Sequence, residues 1–292
     1  FDLAVALRRH VDARGDHVLL GETYLEPEML VRYHGTSEAP GLHLAGNFNL
    51  LWTPWTATDL AALIHRYERL LEPHAWPTWV LGNHDRSRIV SRIGEAQARV
   101  ATMFLLTVRG TPTIYYGDEI GLADVPIPPE QVCDPWEVRE PGRGFGRDPV
   151  RTPMPWDAGP GHGFTSGAPW LPFNPDAGTR NVASQRSDPQ SMWRLHHDLL
   201  QLRRRAPALQ TGAIDDVVAH DGVLSYRRRL DGEHHADLLV ILEMEGRPAT
   251  LPAEALTGSV LLSTHLDRTG PVTDTVLRAD EGLVIDVGGD AR

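Results

Sequence analysis

Two carboxylates stand where short apolar runs stop. Glu22 closes His17-Val-Leu-Leu-Gly-Glu22, and Asp85 closes Trp79-Val-Leu-Gly-Asn-His-Asp85. A pair of acids can cleave a glycosidic bond: one protonates the leaving oxygen, the other attacks or assists. The proton donor must stay protonated near neutral pH, which burial can arrange. His84 could donate hydrogen bonds to sugar hydroxyls, and Asn83 could hold the turn between them. Each residue also fits a plain role, since a Gly-Glu pair is common and Asn-His-Asp occurs in turns. A histidine beside an aspartate could equally hold a metal. The chain has 14 His. Yet it contains no His-Glu-x-x-His and no paired cysteines, the spacings that zinc sites use. His196-His197 and His234-His235 are sequence neighbours, whose side chains point apart, so they read as surface or partly packed residues. No metal and no cofactor is expected.

These acids need elements to aim them. An apolar run such as Trp79–Leu81 reads as a buried parallel strand. Polar residues crowded at its carboxyl end must face a cleft, because buried polar groups without partners are costly. The carboxyl ends of parallel barrel strands are where active sites sit. His17 to Glu22, His43 to Leu51 and Thr113 to Tyr116 read as further strands. Thr58 to Leu71 is amphipathic, with Leu60, Leu63, Ile64, Tyr67, Leu70 and Leu71 on one side and Thr56 or Thr58 as cap. Residues 26–34 look helical, as do Glu95 to Val108 and Ser191 to Arg205, where the arginines Arg203–Arg205 suit the negative end of the helix dipole. Strand and helix alternate with short connections, the pattern of a parallel α/β fold.

Residues 122–190 break that pattern and are dense in Pro, Gly and Trp. A stretch of this length without periodicity carries function or hides elements. The Trp and Pro residues at 135–136, 155–156 and 169–170 could stack on sugars or simply pack the loop. Beyond residue 208 come strand-like runs at Val223–Arg229, Ala236–Leu242, Ser259–Ser263 and Gly282–Val287, which suggest a small antiparallel β-domain.

Composition narrows the partners. Of 292 residues 41% are hydrophobic and 23% charged, a soluble globular balance. The net charge of -11 argues against nucleic acid and fits a neutral small molecule. Cys133 is the only cysteine, so no intrachain disulfide forms. No apolar run of about 18 residues could span a membrane. The chain opens on Phe1 within a helix-like segment (Leu3, Val5, Ala6, Val11), from which an upstream part is expected.

The order of motifs is specific. Gly21-Glu-Thr-Tyr24, Gly82-Asn-His-Asp85 and Gly110-Thr-Pro-Thr-Ile-Tyr-Tyr-Gly-Asp-Glu-Ile-Gly121 are followed by Arg147-Asp148 and Arg151-Thr-Pro-Met-Pro-Trp-Asp157. This series resembles the α-amylase family, glycoside hydrolase family 13, and within it the bacterial α-glucosidase and oligo-1,6-glucosidase branch. The resemblance covers residues 1–206, and the remainder, 207–292, fits the family's C-terminal β-domain, here expected to be sandwich-like. It implies the C-terminal half of a (β/α)8 barrel, about strands 5 to 8, and retaining α-glucosidase chemistry on short α-glucosides. Glu22, closing the fifth strand, would be the general acid/base. Asp85, after the seventh, would stabilise the transition state, with His84 and Asn83 beside it. Arg147 would secure the terminal glucose, with Arg151 as the second choice. A guanidinium beside Asp85 would orient that carboxylate.

The family's nucleophile, an aspartate at the end of the fourth strand, has no counterpart here. The chain alone is therefore expected to be inactive and to need the N-terminal half of the barrel as partner. A non-catalytic relative that serves as a binding or scaffolding partner is the alternative. So is a transglycosylating, trehalose-forming or sucrose-converting enzyme. No membrane partner is expected, and the branch suggests a cytoplasmic location.

Overall fold

The computed structural model describes residues 1–230, 232 and 236–288. His234 and His235 lie outside the described residues. Four short strands, β1 (Leu20–Thr23), β2 (Leu44–Asn47), β3 (Thr78–Val80) and β4 (Thr111–Thr113), form a parallel sheet in the order β1-β2-β3-β4. All four carboxyl ends therefore open on one side. Each strand is followed by helical chain. The helix Ala57–Leu70 leads from β2 to β3, and Ile89–Ile93 and Glu95–Thr107 lead from β3 to β4.

Period-two alternation in β3 divides the sheet into two faces. Trp79 is fully buried on the helix side, with its ring edge-on to Tyr67 (5.3 Å) and Phe104 (6.4 Å). Thr78 and Val80 face the other side, where they line the cleft beside Glu22. The Ala57–Leu70 helix buries Leu60, Leu63, Ile64 and Tyr67, and the Thr56 hydroxyl accepts the Asp59 amide at its start. At β1 a close approach demands glycine: a Cβ on Gly21 would lie 2.3 Å from Leu42 Cδ1. That contact holds Gly21 against the segment entering β2, while Leu20 and Glu22 line the cleft.

The rest is an antiparallel sheet. The strands β5 (Ala213–His220), β6 (Val223–Leu230), β7 (Ala236–Glu243), β9 (Ser259–Ser263), β10 (Gly270–Pro271) and β12 (Gly282–Asp286) lie in the order β10-β9-β12-β7-β6-β5. A ribbon of β8 (Ala249–Thr250) and β11 (Val276–Leu277) stands apart from them. Alternation along β7 builds two cores. Val240 and Leu242 join Phe104, Leu195 and Leu199 in the main core, whereas Leu239 and Ile241 join Leu251, Leu277 and Leu283 on the opposite face. The small ribbon lies over the outer face of the six-stranded sheet, with Leu251 and Leu277 packed on Leu239 and Ile241.

Buried polar bonds tie this sheet to the barrel helices. Tyr226 Oη and Thr107 Oγ1 lie 2.6 Å apart. Fully buried Arg228 donates to the carbonyls of Thr107, Leu209, Gly212 and Ala213.

Some boundaries depart from the sequence reading. The strand expected at Thr113–Tyr116 runs from Thr111 to Thr113, because Thr111 and Pro112 pair with Thr78 and Trp79. The run His43–Leu51 is strand only at Leu44–Asn47, then turns into a 3-10 segment at Asn49–Leu51. β5 went unread: Asp216 with φ 50 and a register shift between Asp215 and Val218 interrupt its alternation.

Candidate active site

The site forms where β1 and β3 end. Glu22 lies at the carboxyl end of β1, and the chain leaving β3 turns through Gly82-Asn83-His84-Asp85. A carboxylate oxygen of Glu22, one of Asp85 and a ring nitrogen of His84 lie within 4.8 Å of one another. A cleft of about 210 Å3 opens beside them, lined by Glu22, Phe48, Asn83, His84 and Tyr115 among others. Glu22 is exposed on this open sheet, in contrast to the buried environment that a proton donor calls for.

Local bonds shape the turn. Asn83 is buried; its Oδ1 accepts the Asp85 amide at 3.1 Å and its Nδ2 donates to the Tyr24 hydroxyl. Tyr24 in turn stacks on Phe48, with ring centroids 4.3 Å apart. The β1 end and the β3 end are thus fastened to each other through Asn83. His84 Nε2 is 3.3 Å from Asp85 Oδ1.

Two arginines converge on the same carboxylate. Arg151 Nη2 donates to Asp85 Oδ1 at 3.0 Å, and its Nε donates to the His84 carbonyl at 2.8 Å. Arg147 Nη1 reaches Asp85 Oδ1 at 3.4 Å. Of the two, Arg151 holds Asp85 more closely. Arg147 is committed chiefly to Asp134, to which its Nε (2.6 Å) and Nη2 (2.9 Å) donate. Those bonds hold the Asp134 carboxyl well below the usual carboxylate range and raise Arg147 correspondingly. All six residues singled out in the sequence therefore meet: Glu22, Asn83, His84, Asp85, Arg147 and Arg151.

Sequence reading missed the supports. Asp134 is one, and its only signal is that Asp-Pro-Trp reads as a helix start; its Oδ1 does accept the Trp136 amide. Arg88 is another. It is fully buried, donates to the carbonyls of Tyr116 (2.7 Å) and Val150 (2.9 Å), and lies 3.7 Å from Asp118 Oδ1. It so joins the Asp85 turn, the end of β4 and the segment carrying Arg151. Gly117, with φ 88, admits this arginine: a Cβ there would lie 2.9 Å from Arg88 Nη1. Burial pushes the Asp118 carboxyl up to about 7, against the pull of Arg88.

Among the described residues, two groups have the spacing to hold a cation, Glu22–His84–Asp85 and His265–Asp267–Glu281. In both, arginines already occupy a carboxylate: Arg147 and Arg151 on Asp85, Arg268 and Arg278 on Glu281. That positive charge opposes a metal ion.

The α-amylase catalytic domain model matches residues 4–212. The salivary alpha-glucosidase of Anopheles gambiae is 34% identical over 242 residues, which cover 80% of this chain and 40% of that protein. The oligo-1,6-glucosidase of Parageobacillus thermoglucosidasius is 34% identical over 205 residues, covering 62% of this chain and 36% of that one. Among solved structures, the alpha-glucosyl transfer enzyme XgtA superposes with a TM-score of 0.84 at 28% identity, over 97% of this chain and 53% of its own. The trehalulose synthase MutB from Pseudomonas mesoacidophila gives 0.82 at 27% identity, over 97% and 58%. The chain spans about half the length, or less, of the curated relatives it matches. It belongs to the α-amylase family, as part of the (β/α)8 catalytic barrel followed by an antiparallel β-domain.

Proposed function

We propose that the protein containing this chain is a retaining α-glucosidase acting on short α-glucosides. The observation that carries this reading is the convergence of Glu22, His84 and Asp85 within 4.8 Å at the carboxyl ends of parallel strands. Glu22 donates its proton to the glycosidic oxygen as that bond breaks. Asp85 opposes the positive charge that grows on the sugar ring and accepts hydrogen bonds from its hydroxyls. Arg147 and Arg151 hold Asp85 in place, and His84 donates to a neighbouring hydroxyl.

The nucleophile comes from a part of the barrel outside these 292 residues, so the chain alone is inactive. Its partner is the remaining half of the barrel. The apolar groups left open on and before β1, Val18 and Leu20, support that reading. No described helix is long and apolar enough to cross a membrane.

The test is hydrolysis of p-nitrophenyl α-glucoside by the 292-residue chain and by the full-length protein. Turnover is expected only from the full-length protein. Turnover by the chain alone, or by neither, overturns the proposal. A second reading, transfer of glucosyl to a sugar acceptor, is favoured by the likeness to XgtA and the trehalulose synthase. Product analysis with sucrose and with maltose separates the two: hydrolysis yields monosaccharides alone, and transfer yields new di- or trisaccharides beside the released sugar.

A further inference from the structure

The segment from Asp134 to Arg147 leaves the barrel and returns to the same point. Its neck is closed twice. Asp134 takes the Arg147 side chain and, at 2.8 Å, the Arg147 amide; Asp148 Oδ2 takes the amides of Cys133 (2.7 Å) and Asp134 (2.8 Å). Two aromatic residues stand next to that neck, one on each arm. Trp136 is 56% exposed and Phe145 is 45% exposed, with ring centroids 6.0 Å apart and planes nearly perpendicular. Together with Arg139 and Glu140 they line a cleft of about 250 Å3.

Large aromatic faces left in water beside charged hydrogen-bonding groups match the two surfaces of a pyranose. The C–H face of the ring packs on an aromatic plane, and the hydroxyl rim meets a guanidinium and a carboxylate. Arg147 stands between this cleft and the candidate active site. The Arg147 guanidinium lies 5.7 Å from the Trp136 ring and 3.4 Å from Asp85. One side chain thus separates the aromatic face from the carboxylate assigned to the cleaved sugar. We propose that the cleft of Trp136, Arg139, Glu140 and Phe145 is a subsite for a further sugar ring of an oligosaccharide whose end lies at Asp85. It extends the α-glucosidase reading and rests on it for the placement of that end. The doubly closed neck fixes the subsite relative to Asp85, so the pair measures oligosaccharide length.

The experiment is binding by the full-length protein carrying Glu22→Gln, which leaves oligosaccharides uncleaved. Maltose, maltotriose and maltotetraose are titrated calorimetrically, with and without Trp136→Ala. Stacking of this kind favours the bound form by up to about tenfold. Affinity should rise from maltose to one of the longer sugars, and Trp136→Ala should abolish that rise. Phe145→Ala should weaken it in the same direction. A rise that survives Trp136→Ala, or no rise at all, overturns the proposal. Failure of the α-glucosidase reading is distinguished separately, by full turnover of the Glu22→Gln protein, which the binding result does not share.

Discussion

Asp134→Asn tests how firmly Arg147 is held, and its effect can be worked from the contacts. The replacement keeps the size of the side chain and removes its charge. Asp134 has no exposed side-chain surface, and it accepts from Arg147 Nε (2.6 Å), Arg147 Nη2 (2.9 Å), the Arg147 amide (2.8 Å) and the Trp136 amide (3.1 Å). Hydrogen bonds to a charged group contribute about 1.5–3 kcal/mol, and neutral ones about 0.5–1.5 kcal/mol. Two of the bonds here run between opposite charges, so loss of charge removes about 2 kcal/mol. The amide nitrogen also turns a donor toward a donor, but Arg147 is 28% exposed and water recovers part of that loss. The sum stays at about 2–3 kcal/mol. At tenfold per 1.4 kcal/mol, exchange of the Arg147 and Trp136 amides should quicken roughly 30- to 150-fold in hydrogen–deuterium exchange.

The pH dependence of that effect has a defined sign. The folded carboxyl of Asp134 lies below its unfolded value near 4, so its contribution is complete above that pH and lost only as the solution becomes strongly acidic. The difference between parent and variant should therefore be constant from about pH 5 to 8. Protection unchanged within about threefold would refute the reasoning, because the clasp would then add little to the neck of the segment.

Further outcomes follow from the same contacts. Arg228→Met strips donors from four buried carbonyls between the end of the Glu95–Thr107 helix and the start of β5. It should cost about 3 kcal/mol in urea unfolding after the relief of removing a buried charge, and a loss below about 1 kcal/mol would count against its bracing role. For Asp118 the sign is opposite to that of Asp134. Its folded carboxyl is raised to about 7, so its contribution is complete below about pH 4 and falls as pH rises through 7. The melting temperature of Asp118→Asn relative to the parent should climb over that range, and a flat difference would contradict the assignment.

What the sequence disclosed and what it hid have physical reasons. Asn83, His84 and Asp85 were legible because polar residues break an apolar run, and Glu22 because it closes another. The amphipathic face of Ala57–Leu70 was legible from its spacing alone. Asp134 and Arg88 were not. A charged residue in a loop reads as solvated, and its burial depends on partners far along the chain: Arg147 for Asp134, Tyr116 and Val150 for Arg88. The strand ends also shifted, since pairing fixes them: β4 begins at Thr111 because Thr78 lies opposite. Likewise the relative grip of Arg147 and Arg151 on Asp85 is set by competition from Asp134, which spacing does not encode.

The central claim is that Glu22 is the proton donor of a glycosidase. It is tested most directly by kcat/KM for maltose in the full-length protein carrying Glu22→Gln. A glutamine keeps the shape and cannot supply the proton, so the account predicts a fall of about 10²- to 10⁴-fold. A value within about tenfold of the parent would contradict it.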